Sequence, residues 1–343
     1  MIIIILIALV YVAITTEVIL APLFLSLLFA LLLLPVANFL ERKLSVPRAA
    51  AALLAVVILI AFLASIFYLL GSQVAHLAYG QPSLKEQLHA SLNDLQSSFA
   101  ERFHIDIKKQ ISYVDKLASN AMSSGTVEGA TVLSLSTKLL FPLLSAFFTF
   151  FLLLYRRLLL TFLFALFPEK KPVVYNIVKD IQYIIRRYIL GLLLEMLIVA
   201  AIGYASFLIF GVKYALLFSL TTAVFNIIPY AGIFSSLIIS AFITFAIGGG
   251  TVKVLVVIIT IIAIHLIDSN ILLPFVVGSK IRINGMATII AVIAGEMIWG
   301  IPGMFLSIPF LAMTRVIFDS IDTLKPWGIL LGTENIKRKL KKR

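Results

Sequence analysis

The sequence predicts an all-α protein that crosses a membrane many times. Three observations carry this. Hydrophobic residues make up 62% of the 343 positions and charged ones only 13%, about half the roughly 25% of a soluble domain. Uncharged stretches near the ~20 residues needed to span a bilayer recur along the chain. Positive charge is shared unevenly between the intervening loops. The same composition excludes disorder. The absence of cysteine excludes disulfide frameworks, Cys-ligated zinc and thiol catalysis.

About eight hydrophobic segments follow in order. Met1 to Thr16 ends at Glu17 and lacks the basic start and cleavage site of a signal peptide, so it reads as a helix. Val18–Leu40, interrupted by Pro22 and Pro35, is the second; Ala49–Gly71 is the third. After a long polar interval come Leu139–Tyr155, then Tyr188–Phe210 with Glu195 inside it. Tyr214–Ile247, Val254–Gly278 and Gly285–Thr314 are the sixth, seventh and eighth.

The sixth and eighth are too long for simple spans. As continuous helices they would reach about 51 Å and 45 Å, against a hydrocarbon core of about 30 Å. The sixth carries Asn226, Pro229 and Gly232 at its middle; the eighth carries Gly300, Pro302 and Gly303. Proline removes a helical donor and crowds the preceding turn, so both blocks are expected to break there. Each is then either a tilted, kinked span or a re-entrant hairpin.

Loop charge bears on the choice. The Glu41–Arg48 loop and the Arg156–Arg187 segment are net positive, as is the tail from Lys325, while Ser72–Thr137 is slightly negative. The positive-inside bias places the first three in the cytoplasm and Ser72–Thr137 outside. Hairpins would bring the Ser279–Asn284 loop, with Lys280 and Arg282, to the cytoplasmic side that its charge favours. The fifth and sixth segments would then form an inverted repeat with the seventh and eighth, an arrangement typical of transporters.

The chain divides accordingly. Residues 1–71 hold three membrane helices and 72–137 an extracytoplasmic helical insert. Residues 138–187 hold the fourth helix and a cytoplasmic amphipathic segment, 188–318 a core with two broken elements, and 319–343 a basic cytoplasmic tail. In the insert, Leu84, Leu88, Leu92, Leu95, Phe99 and Phe103, then Ile107, Ile111, Val114 and Leu117, form apolar stripes at helical spacing. Such a stripe can lie on the membrane, pack on the spans or contact another subunit, and packing on the protein itself explains it more simply than a partner does. Val173, Ile177, Ile181 and Ile185, flanked by Lys179, Arg186 and Arg187, suit a helix lying at an anionic inner leaflet. The basic tail fits the same surface better than it fits nucleic acid.

Ionisable residues at membrane depth cost several kcal/mol and usually face a cavity or a partner. Glu195, His265, Asp268 and Glu296 are the candidates, with Asn226 and Asn270 as uncharged companions. His265 and Asp268 are one turn apart, able to pair or relay a proton; Asp268 and Asn270 could instead sit at a helix end in the interface. Glu296, near the Gly300–Gly303 break, could bind a proton or cation or pair with another subunit. Glu195, Asp268 and Glu296 are the candidate coupling carboxylates. No HExxH, Walker, GxSxG or GxGxxG motif is present, and no cofactor or metal site is expected. His76, His89 and His104 read as solvated surface.

Ile228-Pro229-Tyr230-Ala231-Gly232, Asp268-Ser269-Asn270-Ile271-Leu272-Leu273-Pro274 with Gly278, and Gly295 through Gly300, Gly303 and Pro309 follow one another in this order. In that spacing the chain resembles the autoinducer-2 exporter family, the PerM-type permeases, along essentially its whole length. Two positions depart: Glu296 stands where the family often has a small residue, and Asn284-Gly285 where it has a His-Pro-like pair. The resemblance implies a prokaryotic inner-membrane secondary transporter, homo-oligomeric, with a pentamer among the arrangements it allows. It also implies export of the quorum-sensing furanone autoinducer-2 or a similar small polar metabolite; with no nucleotide-binding motif in the chain, a proton or sodium gradient is the expected driving force. Sodium(lithium)–proton antiport is the alternative. The path is expected at Asn226, Pro229, Gly232, His265, Asp268, Asn270, Glu296, Gly300 and Gly303.

Overall fold

The structure, a computed structural model, describes residues 2–80, 132–228, 231–272 and 283–332. The apolar stripes at 84–117, Pro229, the 279–282 part of the charged loop and the tail beyond residue 332 lie outside the described residues.

Helix α1 (Ile2–Thr15) has 14 residues and so reaches about 21 Å, short of the ~30 Å bilayer core. At Thr16 the chain passes into α2 (Glu17–Lys43), which continues unbroken through Pro22 and Pro35. Helix α3 (Arg48–Gly80) and α4 (Val132–Leu154) pack against α2 through Leu33, Ala37, Ala52, Ala55 and Leu153. Small alanines let these backbones approach closely, which replaces the hydrophobic drive that lipid removes. Helix α5 (Arg156–Leu166) bends 68° from α4. Its Leu158, Leu159, Phe162 and Leu166 are exposed.

Helix α6 (Lys171–Ile209) runs unbroken for 39 residues, about 58 Å. The stretch expected to lie flat at the leaflet is therefore continuous with the fifth span. No proline or glycine stands between Val173 and Leu190 to end the helix. Helices α7 (Ala215–Phe225) and α8 (Ala231–Ala246) follow, then α9 (Gly250–Ile267) with a π turn over Asp268–Leu272. Helix α10 (Gly285–Ser320) and α11 (Lys325–Leu331) complete the described chain. Among the described residues five helices are long and apolar enough to cross a membrane: α2, α3, α6, α9 with its π turn, and α10; the bent α4–α5 pair would make six. This is a multi-pass membrane protein.

Both over-long blocks reverse direction. In the first, Thr222 Oγ1 and Ser236 Oγ are 2.7 Å apart, whereas a straight helix would separate them by about 21 Å. Helices α7 and α8 are thus two limbs of a hairpin, about 16 and 24 Å long, and neither alone spans the core. In the second, Gly295 lies against the backbone of Gly303 and the hydroxyl of Ser307, which a straight helix would hold about 12 and 18 Å away. The reversal sits at Trp299 (φ −135°, ψ 17°) and Gly300 (φ 60°, ψ −137°), the latter a conformation that a Cβ would oppose. Any side chain at Gly295 or Gly303 would strike the opposite limb.

The hairpins open at opposite ends of α6. Lys253 Nζ, on the first turn of α9, donates to the Phe210 carbonyl at 2.6 Å, so α7–α8 enters and leaves beside the end of α6. The α10 hairpin starts where Asn284 caps it, its side chain accepting from the Met286 N–H at 2.9 Å. The Asn284 N–H donates to the Leu331 carbonyl at 2.8 Å, so residues 284 and 331 share an end. The Asp322 carboxyl is held below its ordinary value by a hydrogen bond from Lys325 and that ammonium's charge, with a further contribution from Lys170. Met313 of the second limb of α10 packs in one cluster with Ile181 and Ile185 in the first half of α6, so the α10 hairpin opens toward that end. Along α6 itself, Ile185, Tyr188, Ile189 and Leu192 pack with Leu28 and Leu306, while Phe207 packs with Phe218 and Ile261. Glu195 stands between the two clusters.

Candidate transport site

Three polar side chains meet where the two halves of α6 join. Glu195 projects from α6 and is 3% exposed. Asn226 closes α7, its N–H held by the Thr222 and Val224 carbonyls. Asp268, 5% exposed, opens the π turn after α9, a local widening often found at functional positions. The Asn226 amide donates to Glu195 Oε1 at 3.1 Å and to Asp268 Oδ2 at 2.9 Å. Only the amide nitrogen can serve two carboxylates, because it alone offers two donors. Asn226 therefore bridges residues from separate helices.

The bridge leaves acceptors over. Glu195 Oε2, Asp268 Oδ1 and His265 Nδ1 are buried with no hydrogen-bond partner among the described residues. Thr222, Asn226, His265 and Asp268 line a cavity of about 10 Å³ closed by Val199, Ile261 and Ile264, room for about one water-sized species. Glu195 lies about 21 Å along the helix from Ile209, within the ~30 Å of a bilayer core. Two like-charged carboxylates at that depth repel and are poorly solvated, so a proton or a cation is the natural complement. Among the described residues no group of three or more His, Asp or Glu is arranged to hold a metal ion.

Other candidates fall elsewhere. Asn270 is exposed and its amide is used on the Leu266 carbonyl at 2.8 Å. Glu296 is exposed on α10 and does not line the cavity beside Asp268. Gly300 and Gly303 form the α10 reversal beside an apolar cavity lined by Trp299, Gly303 and Phe310. Gly232 packs on the Phe225 carbonyl and so tightens the α7–α8 reversal. His265 does reach the cluster, through the small cavity it shares with Asp268.

Sequence reasoning missed the hydroxyls of the first hairpin. Ser219, Thr222, Ser236, Ser240 and Thr244 are all buried. On α8 they recur every four residues, on one face leading from the reversal to the open end of the hairpin. That spacing, in a block without charge, was the available signal.

The AI-2E family transporter model matches residues 3–322. The chain belongs to the AI-2E transporter family. This is a family of transporters rather than of enzymes, and the chain has a membrane-transport role. It is 29% identical over 309 residues to YrrI of Bacillus subtilis, named as a transport protein, covering 86% of this chain and 84% of that one. YueF of the same organism, also so named, is 27% identical over 304 residues, 84% and 80% of the two chains. PerM of Escherichia coli K12, named as a permease, is 24% identical over 216 residues, 60% and 61% of the two.

Proposed function

We propose that the protein is a gradient-coupled secondary transporter of a prokaryotic inner membrane, with Glu195, Asn226 and Asp268 as its coupling site. It exports a small polar metabolite of the autoinducer-2 class, which gives it a part in quorum sensing. The observation that carries this reading is the Asn226 amide shared between two buried carboxylates that keep one free acceptor oxygen each. Loading a proton or sodium ion there changes which carboxylate needs the amide. Because Asn226 belongs to the first hairpin and Asp268 to α9, such a change moves one element against the other. The two hairpins opening at opposite ends of α6 support an inverted repeat, in which each would gate one side. The basic ends at Lys170, Lys325 and the tail then face an anionic inner leaflet, with the C-terminus cytoplasmic. Glu296, exposed on a membrane helix, supports a homo-oligomer in which another subunit covers it.

Sodium(lithium)–proton antiport is the second reading, favoured by the size of the cavity beside Asp268, which accommodates an ion and not a metabolite. Proteoliposomes carrying an imposed pH or sodium gradient separate the two. Uphill autoinducer-2 movement that stops when the gradient is dissipated supports export. Cation–proton exchange without autoinducer-2 movement selects the antiporter, and fluxes of both that ignore the gradient overturn the coupling proposal.

A further inference from the structure

A second cavity, of about 490 Å³, lies between α1, α2 and both limbs of α10. That is within the roughly 300–1,000 Å³ of small-molecule sites. Its chemistry is unlike that of the carboxylate cluster. Leu20, Phe24 and Leu28 of α2 form one wall, and Ala294, Ile298 and Phe310 of α10 form another. No charged side chain lines it. Two polar side chains reach it and both are engaged within the protein: Trp299 Nε1 donates to the Ala13 carbonyl at 2.9 Å, and Ser307 Oγ to the Gly303 carbonyl at 2.6 Å. Neither keeps a free donor to recognise a polar metabolite, and a cavity this poor in polar partners does not hold water. Ala294 and Phe310 are exposed, so the space is open on one side. Helix α2 is long and apolar enough to cross a membrane and the α10 hairpin is built from apolar limbs, so the medium at an opening between them is hydrocarbon.

We propose that this cavity binds an acyl chain of a membrane lipid, seated against Trp299 at the reversal of α10. The chain fills apolar space that protein side chains leave open and contacts α2 and both limbs of the hairpin at once. The site is separate from the transport site and does not depend on which substrate is carried.

The sequence has two tryptophans, and the other, Trp327, is exposed on α11. Trp327→Phe therefore leaves Trp299 as the sole tryptophan in the full chain, excited selectively at the red edge where tyrosine does not absorb. This variant is reconstituted in phosphatidylcholine with bromine at mid-chain, which quenches tryptophan on contact, and in the unbrominated lipid. Strong quenching is expected, falling about twofold or more when Ala294→Phe or Ala291→Phe occupies the space with a phenyl ring. Native mass spectrometry of the delipidated wild type should retain one lipid per chain, lost in the filled variants. Equal quenching before and after filling, in variants with wild-type elution and circular dichroism, overturns the proposal, because Trp299 then meets only bulk lipid. Absence of quenching also overturns it and points to protein, such as a second copy, closing the opening. A delipidated wild type that retains no lipid counts against it independently of any variant.

Discussion

The two hairpins share a backbone device and differ in what they enclose. The α7–α8 hairpin buries Ser219, Thr222, Ser236, Ser240 and Thr244, and presents Asn226 at its reversal to Glu195 and Asp268. The α10 hairpin brings Gly295 against Gly303, buries Ser307 alone among the polar side chains of its limbs, and faces a 490 Å³ apolar cavity. Chain reversal at mid-membrane thus does not by itself make a polar path. In the first hairpin the freed backbone lies among hydroxyls and an amide; in the second, glycine contacts bring the limbs together beside an apolar cavity. The proposed coupling site therefore belongs to one hairpin and the proposed acyl-chain site to the other.

The comparison can be broken first at the level of topology. With no native cysteine, Thr251→Cys and Met286→Cys can be labelled with an impermeant maleimide without background. Two hairpins place them on opposite sides of the membrane, with Met286 on the side of Lys325; simple spans in the long blocks would exchange the two sides. A second test compares the close contacts. Gly232→Val and Gly303→Val should each destabilise by about 3 kcal/mol or more, since their side chains would meet backbone rather than a movable side chain. Thermal unfolding in detergent checks this, and a mild effect at Gly303 would show that the α10 limbs are not tightly joined. The smallest expected effect is at the hydroxyl pair. Thr222→Val should cost about 0.6 kcal/mol, the average for such bonds in membrane proteins, and Ser236→Ala should add little once Thr222 is replaced. A double-mutant cycle measures that coupling, and strictly additive losses would deny the pair.

Much of this was legible in the residues. Apolar length located the spans, and the excess length around Pro229 and around Gly300–Gly303 located both breaks. Block length alone could not choose between a kink and a reversal. That choice lies in contacts such as Thr222 with Ser236, which depend on side chains far apart in a straight helix. Glu195, Asn226, His265 and Asp268 were legible as costly polar groups, because bilayer depth makes any such residue conspicuous. Asn270 and Glu296 were equally conspicuous, and nothing in their spacing told which face they occupy. The continuity of α6 across residue 187 was hidden by a change of composition from amphipathic to apolar, which a helix crosses without a break.

The central claim is that Asn226 couples Glu195 to Asp268. Gradient-driven and downhill flux should be compared in proteoliposomes of wild type, Asn226→Ala, Glu195→Gln and Asp268→Asn, each at matched protein and with wild-type elution. Loss of a buried hydrogen-bonding partner costs about 1–3 kcal/mol, so gradient-driven flux should fall about tenfold to a hundredfold in each variant while downhill movement persists. Wild-type dependence on the gradient in Asn226→Ala and both carboxamide variants would contradict the account.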